Sequence, residues 1–187
     1  MDVIKCDIMY EITIYGRGGQ GAVTTSELLA IAAFRDGKYS QAFPAFGAER
    51  RGAPVRAFCR IDDKFINLRT HIYNPTHLII LDPTLLNSIN VTEGLSDNGM
   101  IIINSHEHYP DLEKKYKVCY TDATKLAVEI LGRPIVNTAV LGAFAKKTGL
   151  VTLDSLKEAI KEKFGAKGES IVSKNIELIQ NVYEAVE

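Results

Sequence analysis

The sequence has 187 residues, 46% of them hydrophobic and 24% charged, a composition typical of one globular domain, which we expect to span residues 1–187. Its 22 basic and 23 acidic side chains give a formal net charge of -1, which excludes the general basic field by which proteins bind nucleic acid. Its apolar stretches are much shorter than the roughly 20 residues of a transmembrane helix, and the charged start Met1–Glu11 does not fit a signal peptide, so we expect a cytoplasmic protein without membrane contact.

The first predicted elements are a strand, a glycine-rich loop and a helix. Residues Tyr10–Tyr15 are rich in β-branched and aromatic side chains, as strands are, and Ala22–Phe34 place apolar side chains at helical spacing. Between them lies the segment that we call the glycine loop, Gly16-Arg17-Gly18-Gly19-Gln20-Gly21. This order predicts the first half of a β-α-β unit.

The next segment predicts a hairpin added to the sheet. Lys38–Phe43 is typical of a short strand, and Val55–Ile61 of a second one. Phe65–Leu68 follows a turn and is predicted as the return strand of a hairpin with Val55–Ile61. Residues 44–56, which we call the arginine loop, are rich in Gly, Pro and charge and are expected to be irregular.

The rest of the chain predicts buried strands followed by helices. Near-continuous apolar runs such as His77–Leu81 suit strands that are buried on both faces. Two further strands are expected at Met100–Ile103 and Lys117–Tyr120, and helices at Thr84–Asn90, Ala123–Leu131, Ala139–Lys147, Leu153–Phe164 and Ser170–Ala185. The alternating order predicts an α/β fold: a three-layer Rossmann-like sandwich with a mostly parallel sheet, a hairpin addition and a helical C-terminal third.

The glycine loop is predicted at the carboxyl end of the first strand, where ligands of open α/β sheets bind. Its glycines permit a tight turn, and the following helix N-terminus presents free N–H groups, so we expect Gly16, Arg17, Gly18, Gly19, Gln20 and Gly21 to contact an anion or a partner. The alternative is a turn that serves packing only. The second strand ends without the acidic residue of a nicotinamide site, and the loop lacks the Gly-Lys-Ser/Thr ending of a phosphate-binding loop.

The arginine loop carries the second set of candidate residues, Glu49, Arg50, Arg51 and Arg56. Its prolines reduce the entropy of ordering the segment, and arginine pairs with carboxylates or phosphates through two parallel hydrogen bonds. We therefore predict an interface or anion-binding loop, with Glu49 orienting one arginine. The alternative is a solvated loop with an internal pair between Glu49 and an arginine.

Self-contained catalysis is not indicated, and we expect no catalytic residue. The sequence has neither a nucleophile-elbow nor a zinc-protease motif. Its three cysteines, Cys6, Cys59 and Cys119, form no Cys-x-x-Cys pair, so we expect buried thiols and neither a metal site nor an iron–sulfur cluster on this chain.

Three segments together resemble the gamma subunits of 2-oxoacid:ferredoxin oxidoreductases. They are the glycine loop, residues 46–55 (Phe-Gly-Ala-Glu-Arg-Arg-Gly-Ala-Pro-Val) and residues 137–143 (Asn-Thr-Ala-Val-Leu-Gly-Ala). The resemblance covers nearly the whole chain, and the Arg-Gly-Ala-Pro-Val form is most similar to the pyruvate-specific members. Related gamma chains also serve indolepyruvate, 2-ketoisovalerate and 2-oxoglutarate enzymes.

The resemblance implies a subunit of a larger enzyme, a pyruvate synthase. Such a complex converts a 2-oxoacid and coenzyme A to acyl-CoA and carbon dioxide and reduces ferredoxin. Its alpha, beta and delta subunits hold thiamine pyrophosphate with Mg²⁺ and the iron–sulfur clusters. This chain would bind no cofactor alone; it would shape an interface and the coenzyme A path, and would be inactive in isolation. A free-standing nucleotide-binding Rossmann-like protein is the alternative interpretation.

Overall fold

The computed structural model describes residues 9–45 and 51–186. They form a six-stranded sheet of order β2-β3-β1-β4-β5-β6. The strands are β1 Tyr10–Arg17, β2 Tyr39–Pro44, β3 Pro54–Asp62, β4 His77–Ile80, β5 Met100–Asn104 and β6 Lys117–Thr121. The helices are α1 Ala22–Arg35, α2 Pro110–Glu113, α3 Ala123–Leu131, α4 Ala139–Thr148, α5 Leu153–Phe164 and α6 Glu169–Ala185, with short 3-10 helices at Pro83–Asn87 and Gly165–Lys167.

The sheet is parallel from β1 through β4 and β5 to β6, and β3 runs antiparallel to both of its neighbours, β1 and β2. The added hairpin therefore consists of β2 and β3. The predicted return strand Phe65–Leu68 is wrong, because β1 and β2 already occupy both edges of β3. Residues 65–68 instead have no regular secondary structure, and the Gln41 side-chain amide donates to the carbonyl of Ile66.

The first face of the sheet carries the main core. Strand residues such as Ile12, Ile14 and Ile79 are fully buried there against α1 and the C-terminal helices α3 to α6. Helix α4 lies deepest, with seven of its ten residues buried. The predicted helical C-terminal third thus forms one continuous layer.

The second face is covered by shorter elements. Tyr15, Leu78 and Ile101 point to this face and pack against a smaller cluster that includes Leu85 and Val91. The helix predicted at Thr84–Asn90 is a 3-10 helix over Pro83–Asn87, begun by Asp82, whose side chain accepts a hydrogen bond from the Thr84 amide. The predicted α/β sandwich with a mostly parallel sheet is confirmed.

No helix within residues 9–45 and 51–186 is long and apolar enough to cross a membrane.

Candidate functional site at the carboxyl edge of the sheet

The glycine loop turns the chain sharply from β1 into α1. Gly19 and Gly21 have φ angles of 97° and 84°, a region that residues with a Cβ rarely adopt. A Cβ on Gly21 would also lie 2.6 Å from the Asn137 Nδ2 atom. Helix α1 begins after Gly21 with neither a side-chain cap nor an acidic residue in its first turn. The first turn of α1 itself therefore supplies no side-chain acceptor for the first amides, which at a helix N-terminus attract anions.

Arg17 is held by a network of short hydrogen bonds. Its Nε lies 3.1 Å from the Asp82 Oδ2 atom, and its Nη2 donates to the Thr84 Oγ1 atom at 2.7 Å. Its Nη1 donates to the Gly52 carbonyl at 3.1 Å. One guanidinium thus joins the glycine loop, the end of the arginine loop and the segment after β4.

Gln20 and Thr84 complete the network around Asp82. The Gln20 amide donates to Asp82 at 2.9 Å, and its oxygen accepts from the Arg17 backbone amide at 2.7 Å. Burial raises the pKa of Asp82, but the hydrogen bonds from Thr84 and Gln20 and the charge of Arg17 together hold it below its ordinary value. Asp82 is therefore a stable anion, and the side chains of Arg17 and Gln20, predicted as donors for a ligand, are engaged inside the chain.

The described end of the arginine loop is bonded to the glycine loop. Gly18 donates its amide to the Ala53 carbonyl at 2.9 Å and accepts from the Gly52 amide at 3.1 Å. Arg51 pairs with Gly18 as an isolated bridge, and its side chain is exposed. Glu49 and Arg50 lie outside the described residues. The two loops singled out in the sequence thus meet at one edge of the sheet, with Arg51 at the junction.

Arg56 lies apart from this junction. It is opposite Tyr15 in the β1–β3 pairing, on the second face of the sheet, and its guanidinium carbon is 6.0 Å from the centre of the Phe58 ring. Arg51 pairs with Gly18 in the glycine loop, whereas Arg56 pairs with Tyr15 within the sheet. The two described arginines of the arginine loop therefore belong to different surfaces.

The third segment of the resemblance packs under the glycine loop. The Thr25 hydroxyl, fully buried in α1, donates to the Asn137 carbonyl at 2.8 Å. Thr138 donates its hydroxyl to Asn175 at 2.8 Å and so links this segment to α6. The described parts of all three segments that carry the resemblance therefore converge near the start of α1.

Asp82 lies at the centre of this network, although the sequence analysis did not single it out. A usable signal existed: an acid directly follows a buried strand, at the edge of a parallel sheet where a loop with an arginine also ends. Its link to Arg17 spans 65 positions and requires β4 to lie next to β1.

The two described cysteines are poor nucleophiles. Cys59 is fully buried and Cys119 is 5% exposed, and burial raises the pKa of both thiols. Both therefore lie in the structure as the predicted buried thiols, and Cys6 lies outside the described residues. In the part of the chain that the structure describes, no group of three or more His, Cys, Asp or Glu side chains is arranged to hold a metal ion.

Comparison with known proteins identifies the family. Residues 11–185 match the family described as pyruvate ferredoxin/flavodoxin oxidoreductase. The chain belongs to this family. The matched residues include the glycine loop, the arginine loop and the segment at Asn137.

Individual family members confirm the resemblance to gamma subunits. The chain is 56% identical over 167 residues to the pyruvate/ketoisovalerate oxidoreductases common subunit gamma of Thermococcus kodakarensis, covering 86% of this chain and 90% of that protein. It is 52% identical over 179 residues to the pyruvate synthase subunit PorC of Methanothermobacter thermautotrophicus, covering 96% and 97%. The crystal structure of the pyruvate oxidoreductase subunit PORC of Thermotoga maritima matches with a TM-score of 0.81 and 36% identity, covering 96% and 97%.

Proposed function

We propose that the chain is the gamma subunit of a pyruvate synthase, an assembly that oxidatively decarboxylates pyruvate with coenzyme A and passes the electrons to ferredoxin. The observation that carries this proposal is the similarity, over nearly the whole chain, to proteins named as gamma or PorC subunits. Thiamine pyrophosphate with Mg²⁺ and the iron–sulfur clusters belong, in this proposal, to alpha, beta and delta subunits.

The role of this chain is to present a preformed surface. Asp82 and Arg17 fix the glycine loop and residues 51–53 relative to each other, so less entropy is lost in ordering their backbone when a partner binds. The free amides at the start of α1 and the exposed Arg51 side chain suit an anionic group. A carboxylate of a neighbouring subunit and a phosphate of coenzyme A both have this chemistry.

The test is reconstitution of the complex with an altered gamma subunit. Arg51→Ala is compared with Arg133→Ala, which removes an equally exposed arginine beyond α3. If Arg51 contacts a subunit, the variant lowers the yield of assembled complex; if it lies on the coenzyme path, assembly is kept and the KM for coenzyme A rises several-fold. Unchanged assembly together with an unchanged KM would remove Arg51 from this role.

The alternative, a free-standing nucleotide-binding protein, predicts a different result. It needs micromolar binding of a nucleotide by the isolated chain, measured by isothermal titration with NAD, FAD and ATP. The engagement of Arg17 and Gln20 with Asp82 argues against it, because neither side chain is left to bind a phosphate.

A further inference from the structure

A cavity of about 790 Å³ opens on the second face of the sheet, where Thr13 and Tyr15 of β1 form part of its lining. This volume is within the range of roughly 300–1,000 Å³ typical of small-molecule sites. Aliphatic side chains form part of its lining, among them Ile72, Pro75 and Ile89. Polar residues line the remainder, including Thr13, Tyr15, Arg56 and Glu93.

Two opposite charges line this cavity and do not pair. Within residues 9–45 and 51–186, Arg56 forms no ion pair with a carboxylate, and Glu93 forms none with a cation. Both nevertheless act on Tyr15: burial raises the pKa of its hydroxyl, the charge of Arg56 and a hydrogen bond from Arg56 oppose that rise, and the charge of Glu93 adds to it. The two residues are exposed and line the same cavity.

The Arg56 guanidinium is also partly positioned in advance. It lies over the Phe58 ring, a contact that restricts a flexible side chain without neutralising its charge. Thr13, which lines the cavity and is 2% exposed, has a buried hydroxyl without a hydrogen-bond partner among the described residues. A buried hydroxyl without a partner is unfavourable, so the site contains a donor that the described residues do not use.

We propose that this cavity binds a small zwitterion of the α-amino acid class, with its carboxylate at Arg56, its ammonium at Glu93 and a short aliphatic side chain against the apolar lining. A single anion such as phosphate would pair with one guanidinium and be repelled by Glu93. A zwitterion satisfies both charges, and electrostatic complementarity of this kind selects one ligand over another.

Three matched probes test the proposal on the purified full chain. Valine carries both charges, isovalerate keeps the same aliphatic group with only the carboxylate, and isobutylamine keeps it with only the ammonium. Saturation-transfer NMR and isothermal titration should show saturable valine binding, weakened about tenfold when either charge is missing. Absence of saturable valine binding, or equally tight binding of isovalerate, would overturn the proposal.

Variants assign each charge to its side chain. Arg56→Gln should weaken valine about tenfold and leave isobutylamine unchanged; Glu93→Gln should weaken valine and leave isovalerate unchanged or slightly tighter. Arg133→Gln is the matched control and should have no effect, and circular dichroism verifies that every variant is folded. Valine binding that survives Arg56→Gln would overturn the assignment, and so would competition by coenzyme A, which would make the cavity part of the coenzyme path.

Discussion

Arg17 and Arg56 lie near each other on paired strands and differ in how the chain uses them. Arg17 contacts Asp82, Thr84 and a backbone carbonyl, so its charge and donors are satisfied within the chain. Arg56 has an aromatic ring beneath it and no carboxylate partner among the described residues. Arg17 thus holds three segments together at the carboxyl ends of the strands. Arg56 lines the cavity, where its charge can interact with a ligand.

The same contrast holds for buried hydroxyls on the two faces. Thr25, beneath the glycine loop, donates to the Asn137 carbonyl. Thr13, on the second face, has no partner among the described residues, and neither has the Nη1 atom of Arg60 on the same face. The buried hydroxyl beneath the glycine loop is thus satisfied within the chain, whereas the Thr13 hydroxyl, which belongs to a residue that lines the cavity, is not satisfied by any described residue.

The largest effect is expected from the buried ion pair on the second face. Arg60 is 1% exposed, and its Nε lies 2.8 Å from the Glu11 Oε1 atom. Glu11→Ala should therefore lower the free energy of unfolding by about 4 kcal/mol, because it leaves a buried guanidinium without a counter-charge. Urea denaturation measures this. Glu162→Ala, which breaks the exposed pair with Arg35, should cost less than about 1 kcal/mol; equal losses would show that burial does not decide the effect.

A smaller loss is expected at the glycine loop. Gly21→Ala should cost about 3 kcal/mol, because the left-handed backbone disfavours a Cβ and the new methyl group would overlap the Asn137 side chain. Thermal and urea unfolding both report it.

Two controls separate these causes. Gly19→Ala has the backbone cost without a neighbour within 4 Å and should lose only about 1–2 kcal/mol. Introducing Asn137→Ala should recover part of the Gly21→Ala loss by making room for the methyl group. If Gly19→Ala and Gly21→Ala lower the free energy of unfolding equally, the close contact between Gly21 and Asn137 does not contribute to the loss.

The sequence predicted the elements that local patterns determine and missed pairings between distant segments. The α5 bounds Leu153–Phe164 agree with the prediction, because apolar spacing and the Thr152 cap are local signals. The strands that pair with β3 are determined by the whole sheet and not by the residues next to it in the sequence. For this reason the prediction of a return strand at Phe65–Leu68 was wrong.

The face of the sheet on which Arg56 lies could have been predicted from the sequence. Ala57, Cys59 and Ile61 alternate along β3 and face the helices. By period-two alternation, Arg56 therefore points to the other face, whereas Arg51 precedes the strand. The link between Arg17 and Asp82 needed the order of β1 and β4, which spacing alone does not provide.

Lowering the pH should affect the two ends of the parallel strands differently. His77 starts β4, at the edge opposite the glycine loop, and burial lowers its pKa from 6.5 to about 4. The unfolded chain then binds a proton that the folded chain rejects, so stability is fully present above pH 6.5 and falls as the pH is lowered towards 4. Between pH 7 and pH 5 we expect a loss of about 2 kcal/mol from this residue.

The comparison variant is His77→Gln, which should flatten the pH dependence of urea denaturation in this window. Asp82 cannot cause the loss, because its pKa lies below its ordinary value of 3.8 and it stays charged there. An unchanged slope in His77→Gln would assign the effect to another group.

The smallest effect has the opposite sign and tests the contrast between the two threonines. Thr13→Val replaces a buried hydroxyl without a partner among the described residues by a methyl group of similar size, and should raise the free energy of unfolding by about 1 kcal/mol. Thr25→Val makes the same chemical change where the hydroxyl donates to Asn137, and should lower it by about 1–2 kcal/mol because a buried carbonyl loses its donor. Paired urea titrations give the two differences directly. A destabilised Thr13→Val would mean that the Thr13 hydroxyl is already satisfied, and the second face would then be as fully bonded as the glycine loop.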